Sequence, residues 1–208
     1  MEKLSYDLTH EIWKLRWSIL KYSFRLGNIL WLTNIELWKW VIIEKWAILK
    51  WNIKIWNWTT IYWRAILQNC NIWNNCEISC EVKNSNLWDN VKAKHFNINI
   101  LNADIWNNCN IWAWVVFANY NWNKKWYFKV WEWSFIWSNS TIILKSKVWE
   151  KRIIWDYVYI VAWISLRTDV PEEGSLVCYD ENWKITIKKD LAYKYLKKEW
   201  LIKLLENL

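Results

Sequence analysis

Large apolar residues recur every six positions through most of this chain. From Leu37 the series runs through Ile43, Leu49, Ile55, Ile61 and Leu67. A one-residue slip restarts it at Ile72 and Ile78, and after a short insertion it resumes at Leu87, Ala93, Asn99, Ile105, Ile111 and Phe117. After a longer insertion it continues at Val130, Ile136, Ile142, Val148, Ile154, Ile160 and Leu166. Only Ala93 and Asn99 break the large-apolar rule. Two positions before a marker the residue is usually small or β-branched: Val41, Ala47, Thr59, Ala65, Val91, Ala103, Val115, Ser134, Ser140, Val158. Helices repeat every 3.6 residues and half-buried strands every 2.0, so neither produces this pattern.

A period of six signals a parallel β-helix. Three short strands per turn form a triangular prism. Each marker points inward and stacks on the one a full turn away. Backbone hydrogen bonds run between successive turns, so each rung is satisfied only by its neighbours. A sandwich of short strands is the alternative, but its strands recur irregularly, about 8–12 residues apart, with turn signals between. The expected organisation is a lead-in over 1–34, the coil over 35–171, and a tail with a hairpin and a helix over 172–208. The lead-in pattern admits a helix from Thr9 onward.

The corners of such a coil need tight turns, often at positive φ, where glycine fits at little steric cost. This chain has 2 glycines and 25 tryptophans. Directly after a marker come Trp38, Trp56, Trp73, Trp88, Trp106, Trp112, Trp131, Trp137, Trp149 and Trp155. Three after a marker come Trp40, Trp46, Trp58, Trp114, Trp133 and Trp163. Asn182-Trp183 stands where Asn-Gly would make a hairpin turn. An indole at positive φ is strained. The pattern leads to the expectation that most or all of these tryptophans are glycine in the natural protein, through a codon such as UGA that the source reads as glycine. The competing reading is a Trp-rich chain with indoles as sugar-stacking or membrane-interface anchors. Those roles do not call for placement at turns.

Several motifs carry a more specific signal. Glu81-Val82-Lys83 precedes Lys92-Ala93-Lys94-His95-Phe96. Ala103-Asp104-Ile105-Trp106-Asn107-Asn108-Cys109-Asn110-Ile111-Trp112-Ala113-Trp114 follows. Next comes Asn119-Tyr120-Asn121-Trp122 with Lys124-Lys125, inside the long insertion. The coil leaves through Thr168-Asp169-Val170-Pro171-Glu172. With Trp taken as Gly, residues 80–177 resemble the acetyltransferase domain of the bifunctional N-acetylglucosamine-1-phosphate uridylyltransferase/glucosamine-1-phosphate acetyltransferase family. The repeats before residue 80 match only generically.

The resemblance implies a left-handed coil, a homotrimer and an active site between neighbouring coils. It implies acetyl-CoA as co-substrate, an amino-sugar phosphate as acceptor, and no metal for acetyl transfer. His95 would be the general base, oriented by Glu81. Lys83 and Lys125 would hold the sugar phosphate, and Asn110, Asn119 and Tyr120 would contact the sugar. The Ala113 backbone N–H would face the thioester oxygen, and Ser138 and Ala162 would line the coenzyme A groove. The chemistry asks for such groups: an attacking amine must lose a proton, and histidine titrates near neutral pH. A carboxylate fixes its tautomer, a preorganised donor meets the developing oxyanion, and lysines suit a phosphate.

The chain also departs from the family. Asn97-Ile98-Asn99-Ile100 replaces the family's Tyr and carries one extra residue. Tyr179 stands in the region of a cofactor-contacting arginine, and Arg64 is a poor match for an arginine of an earlier coil. No glycine-rich nucleotide loop lies in 1–34, so uridylyl transfer is not expected. Alternative readings are a hexapeptide acyltransferase with another amino-sugar acceptor, or a non-catalytic trimeric scaffold partnering a separate uridylyltransferase chain.

The remaining features point to bland roles. His10 and His95 are the only histidines, too few for the three-histidine zinc site of hexapeptide-fold carbonic anhydrases. Cys70, Cys76, Cys80, Cys109 and Cys178 lack Cys-x-x-Cys spacing and are expected as reduced core residues. The formal charge of +8 raises nucleic acid binding, but much of it lies in Lys184, Lys188, Lys189, Lys194, Lys197, Lys198 and Lys203. Asp190 can cap a helix from Leu191 to about Leu205, with Leu191, Tyr195, Leu201 and Leu205 on its apolar side. A solvated lysine face on that helix is expected, and no nucleic acid partner. No uncharged run is apolar enough for a membrane span, and Met1-Glu2-Lys3-Leu4 opens without an apolar signal core, so a cytoplasmic location is expected.

Overall fold

The computed structural model describes residues 4–5, 15–17, 30–31, 34–121, 124–125, 127–143 and 152–197. The chain is nearly all β. Its parallel strands form three stacks, visited in turn. The first stack contains Ile35–Leu37, Asn86–Leu87, Ala103–Ile105, Phe128–Val130 and Arg152–Ile154. The second contains Ile42–Ile43, Thr60–Ile61, Glu77–Ile78, Lys92–Ala93, Asn110–Ile111, Phe135–Ile136, Tyr159–Ile160 and Leu176–Tyr179. The third contains Glu81–Lys83, Asn99–Leu101, Val116–Ala118, Thr141–Ile143 and Ser165–Leu166. Ile48–Ile55 and Ile66–Ile72 each bend from the third stack into the first.

The markers form the core because each sits between two copies of itself. Ile55, Ile61, Leu67, Ile72, Ile78, Leu87, Ile105, Val130, Ile136, Ile142, Ile154, Ile160 and Leu166 are fully buried. So are the small residues before them, Ala47, Thr59, Ala65, Val91, Ala103, Val115, Ser140 and Val158. Polar members of this set satisfy the rung above: Thr59 Oγ1 donates to the Trp73 carbonyl at 2.6 Å and Ser134 Oγ to that of Trp155 at 2.8 Å. Cys76 Sγ and Cys109 Sγ donate to the Trp88 and Trp131 carbonyls, each at 2.9 Å.

Two details differ from the sequence pattern. Asn99 is not an inward marker: Ile100 is, paired with Val82 and fully buried. The extra residue in 97–100 shifts the register by one, which in a strand exchanges inward for outward. Val82 is a marker the six-residue count skips. Its coil is short, with Asn71 and Asn86 on adjacent rungs only 15 residues apart, against 18 for Asn86 and Asp104. Val148 and the lead-in segment from Thr9 to residue 14 lie outside the described residues. The strand Leu15–Trp17 runs antiparallel to Ile35–Leu37.

Near the C-terminal end of the coil, Arg152 is buried. Its Nε and Nη2 donate to the Ile143 carbonyl at 2.9 and 2.7 Å, and Nη2 also to the Arg167 carbonyl at 2.9 Å. Asp169 balances its charge at 3.3 Å and accepts the Ile153 N–H at 3.0 Å. A buried cation is tolerable only with this completeness of pairing. Leu176–Tyr179 then pairs antiparallel with Ile185–Lys188 across a turn at Trp183. A short helix follows over 192–197. Ala192 and Leu196 are its buried residues, packed with Phe135, Tyr159 and Leu176 on the outside of the second stack. Leu191, on the expected apolar side, packs partly buried against the same cluster, while Tyr195 is exposed. The Tyr195 ring lies over Tyr159, ring centroids 5.1 Å apart. Residues 198–208 lie outside the described residues.

All five cysteines are free, and only Cys178 is not buried. Burial pushes the Cys70 and Cys76 thiols up to about 12, and those of Cys80 and Cys109 higher. Thiolates are the reactive form. Brief treatment of the native protein with iodoacetamide is therefore expected to label Cys178 and spare the other four. Equal labelling of Cys76 or Cys109 in a peptide map contradicts their place in the coil interior.

Candidate functional site

The edge between the second and third stacks collects one residue from each rung. His95, Ala113, Ser138, Ala162 and Tyr179 each follow an inward second-stack position, Ala93, Ile111, Ile136, Ile160 and Val177. Parallel pairing stacks these rungs. Rung-to-rung bonds hold the edge: Asn139 N–H donates to the Ala113 carbonyl at 3.0 Å and Trp163 N–H to that of Ser138 at 3.1 Å. Tyr179 Oη donates to the Trp163 carbonyl at 2.7 Å. The Ala113 N–H meets no acceptor among the described residues.

The flanking strands add their outward residues. Asn110, on the second stack, pairs with Lys92. Glu81 and Lys83 flank inward Val82 on the third stack. The Asn99 amide nitrogen, in the orientation its neighbours require, donates to Glu81 Oε2 at 3.2 Å. Among the described residues no hydrogen bond joins Glu81 to His95. The His95 side chain is exposed, its ring 5.5 Å from that of Trp112.

Asn119, Tyr120 and Lys125 lie elsewhere. They follow Val116–Ala118, at the edge between the third and first stacks. Tyr120–Asn121 pairs antiparallel with Lys124–Lys125, forming a small arm with Tyr120 exposed. The chain therefore gathers His95, Glu81, Lys83, Asn110, Ala113, Ser138 and Ala162 along one edge, and carries the other three across the third stack. A polar groove of about 490 Å³ lined by Asn34, Asn52, Asn69 and Asn84 runs along the arm's edge, away from His95.

A cluster that sequence motifs did not single out lies beside His95. Glu77 accepts from Tyr62 Oη at 3.0 Å, pairs with Lys92 Nζ at 3.0 Å, and pairs closely with Lys94 Nζ. Glu77 and Lys92 are adjacent rungs of one stack, and only their outward alternation next to a marker signals this. Burial by itself would raise the Glu77 pKa. Hydrogen bonds and charge from Lys94 and Lys92 outweigh it and hold the carboxyl below its usual range. A depressed folded pKa contributes stability above the unfolded value of about 4.3, lost as pH falls through the folded value. The protein is expected to lose stability as pH falls below that range, and Glu77→Gln to lose less over the same interval. Identical acid-unfolding curves for the two proteins contradict the assignment.

No family model matches this chain, and no curated protein matches it. Among the described residues, no helix is long and apolar enough to cross a membrane. No group of three or more His, Cys, Asp or Glu side chains converges there either.

Proposed function

We propose that this chain is an acetyl-CoA-dependent N-acetyltransferase acting on glucosamine-1-phosphate, a cytoplasmic enzyme of UDP-N-acetylglucosamine synthesis. The coil is left-handed and the working unit a homotrimer. The observation that carries this reading is the single edge on which His95, Ala113, Ser138 and Ala162 stack, with Asn110, Glu81 and Lys83 beside it.

In this reaction His95 takes a proton from the acceptor amine as its nitrogen attacks the thioester carbon. The C–N bond forms and the C–S bond breaks. The departing thiolate takes up the proton that His95 holds. The Ala113 N–H faces the developing oxyanion. Lys83 holds the sugar phosphate, and Ser138 and Ala162 lie along the coenzyme A chain. Glu81 is the carboxylate that orients the imidazole. Asn119, Tyr120 and Lys125 sit a stack away from His95, so they serve the site of a neighbouring copy.

The test is acetyl-CoA turnover with glucosamine-1-phosphate, by thiol release and product mass. Turnover only with another amino sugar reassigns the acceptor. No turnover with any amino sugar favours a trimeric scaffold for a separate uridylyltransferase chain.

A further inference from the structure

We propose that the tryptophans at the corners of this coil are glycine in the protein its source makes. The inference rests on backbone geometry and stands apart from the acetyltransferase reading. Most described positions three after a first- or second-stack marker take positive φ. Trp40, Trp46, Trp58, Trp114, Trp133 and Trp163 have φ between 58° and 69°, as do Trp51 (65°) and Trp183 (59°). These are left-handed conformations, in which the Cβ of an L-residue crowds the following carbonyl oxygen. Equivalent corners on neighbouring rungs carry Asn75, Asn90, Asn108 and Asn139, at 56–61°, and the third corner carries Asn69, Asn84 and Asn102 at 48–53°. Asparagine is the residue other than glycine that best tolerates this region. The one described corner with glycine, Gly174, has φ 67°. A Cβ built there would clash with the Tyr193 ring. The corners thus carry asparagine, one glycine and tryptophan, with Arg64 at 63° and Tyr157 at 54° as single exceptions, and tryptophan is the bulky residue that recurs there without a local reason.

The tryptophans directly after a first-stack marker differ. They do not take positive φ. Trp38, Trp56, Trp73, Trp88, Trp106, Trp131 and Trp155 instead form one column, with successive centroids 4.3–5.4 Å apart. Stacking gives them a packing role, but at a polar cost. Nε1 of Trp88, Trp106 and Trp131 in this column, and of Trp112 beside His95, is buried without a partner among the described residues, an unfavourable loss of hydration. Indoles that bind sugars or membranes keep that N–H available. Meanwhile Trp46, Trp58, Trp163 and Trp183 are 60–81% exposed. One cause accounts for both classes: a codon that the source reads as glycine and another genetic code reads as tryptophan.

A consequence for the site rests on the acetyltransferase reading. Trp112 and Trp114 flank Ala113, Trp137 precedes Ser138 and Trp163 follows Ala162. With glycine at these four positions the edge beside His95 is bare backbone, open to an extended ligand.

The experiment is mass spectrometry of the protein purified from its source, intact and after proteolysis. Each glycine in place of tryptophan removes an indole side chain, about 129 Da. The expected intact mass is lower than 25.9 kDa by about 1.0 kDa for the eight left-handed sites and by about 3.2 kDa for all sites. Peptides spanning 40, 46, 51, 58, 114, 133, 163 and 183 are expected to carry glycine. An intact mass of 25.9 kDa, or tryptophan in those peptides, overturns the proposal. Neither outcome depends on whether the protein transfers acetyl groups. Coenzyme A binding to the glycine chain is measured separately, and its failure bears only on the activity.

Discussion

Glycine at Trp40, Trp46, Trp51, Trp58, Trp114, Trp133, Trp163 and Trp183 is expected to stabilise the fold by roughly 1–2 kcal/mol at each site. The reason is local. All eight residues sit at φ 58–69°, where Cβ crowds the following carbonyl. Glycine has no Cβ and visits this region freely, although it costs more entropy on folding, which trims the gain. Trp163 and Trp183 are the cleanest sites, because at 69% and 81% exposure they have little burial to lose. For a domain of this size each kcal/mol moves the melting temperature by about 2–4 °C. Calorimetry of Trp163→Gly and Trp183→Gly singly, then of all eight together, checks this. A melting temperature that stays level or falls in both single variants would show that these corners carry no left-handed strain. Trp73→Gly is the control with the opposite sign. Its ring stacks between Trp56 and Trp88 at 4.6 and 4.3 Å, so removal opens a gap in the column and lowers stability.

The second large effect belongs to the site. His95→Ala is expected to lower acetyl transfer by about 10²–10⁴-fold, the usual contribution of a positioned general base. The loss is expected in kcat with little change in the KM for acetyl-CoA, since the proposed site runs the donor along Ser138 and Ala162 rather than against the imidazole. His95 is exposed on a corner, so its removal leaves the coil intact, and an unchanged melting temperature should accompany the loss. Transfer at the level of the unaltered chain would remove His95 from the role of base. A parallel fall in melting temperature would assign it to structure instead. Glu81→Gln separates a further point. Asn99 already donates to this carboxylate at 3.2 Å. A smaller loss than His95→Ala, with a displaced pH optimum, marks Glu81 as orienting the base rather than only pairing with Asn99.

The inward half of this protein was legible in its sequence. An interior residue of a coil faces its own counterparts above and below, so size and apolarity recur with the turn, and the markers and the small residues before them declare themselves. The turn sites were legible for the same reason, since the tryptophans three after a marker, such as Trp40, Trp114 and Trp163, fall where φ is positive. The outward half was not. Residues such as Glu77, Lys92 and Glu81 alternate with the markers but obey no periodic constraint, because solvent accepts any polar residue. Their company depends on register, and register depends on coil lengths that vary from 15 to 25 residues between stacked partners. Loops outside the rungs absorb those differences. One added residue was enough to turn Asn99 outward toward Glu81 and Ile100 into the core. So the six-residue pattern alone determined that the chain winds and, apart from Asn99, Ile100 and Val82, most of the residues that fill it. The tertiary structure decided that His95, Ala113, Ser138 and Ala162 share one edge, that Asn119, Tyr120 and Lys125 lie on another, and that Glu77 joins Tyr62, Lys92 and Lys94. Those relations are set by hydrogen bonds between rungs far apart in the chain, and no local preference encodes them.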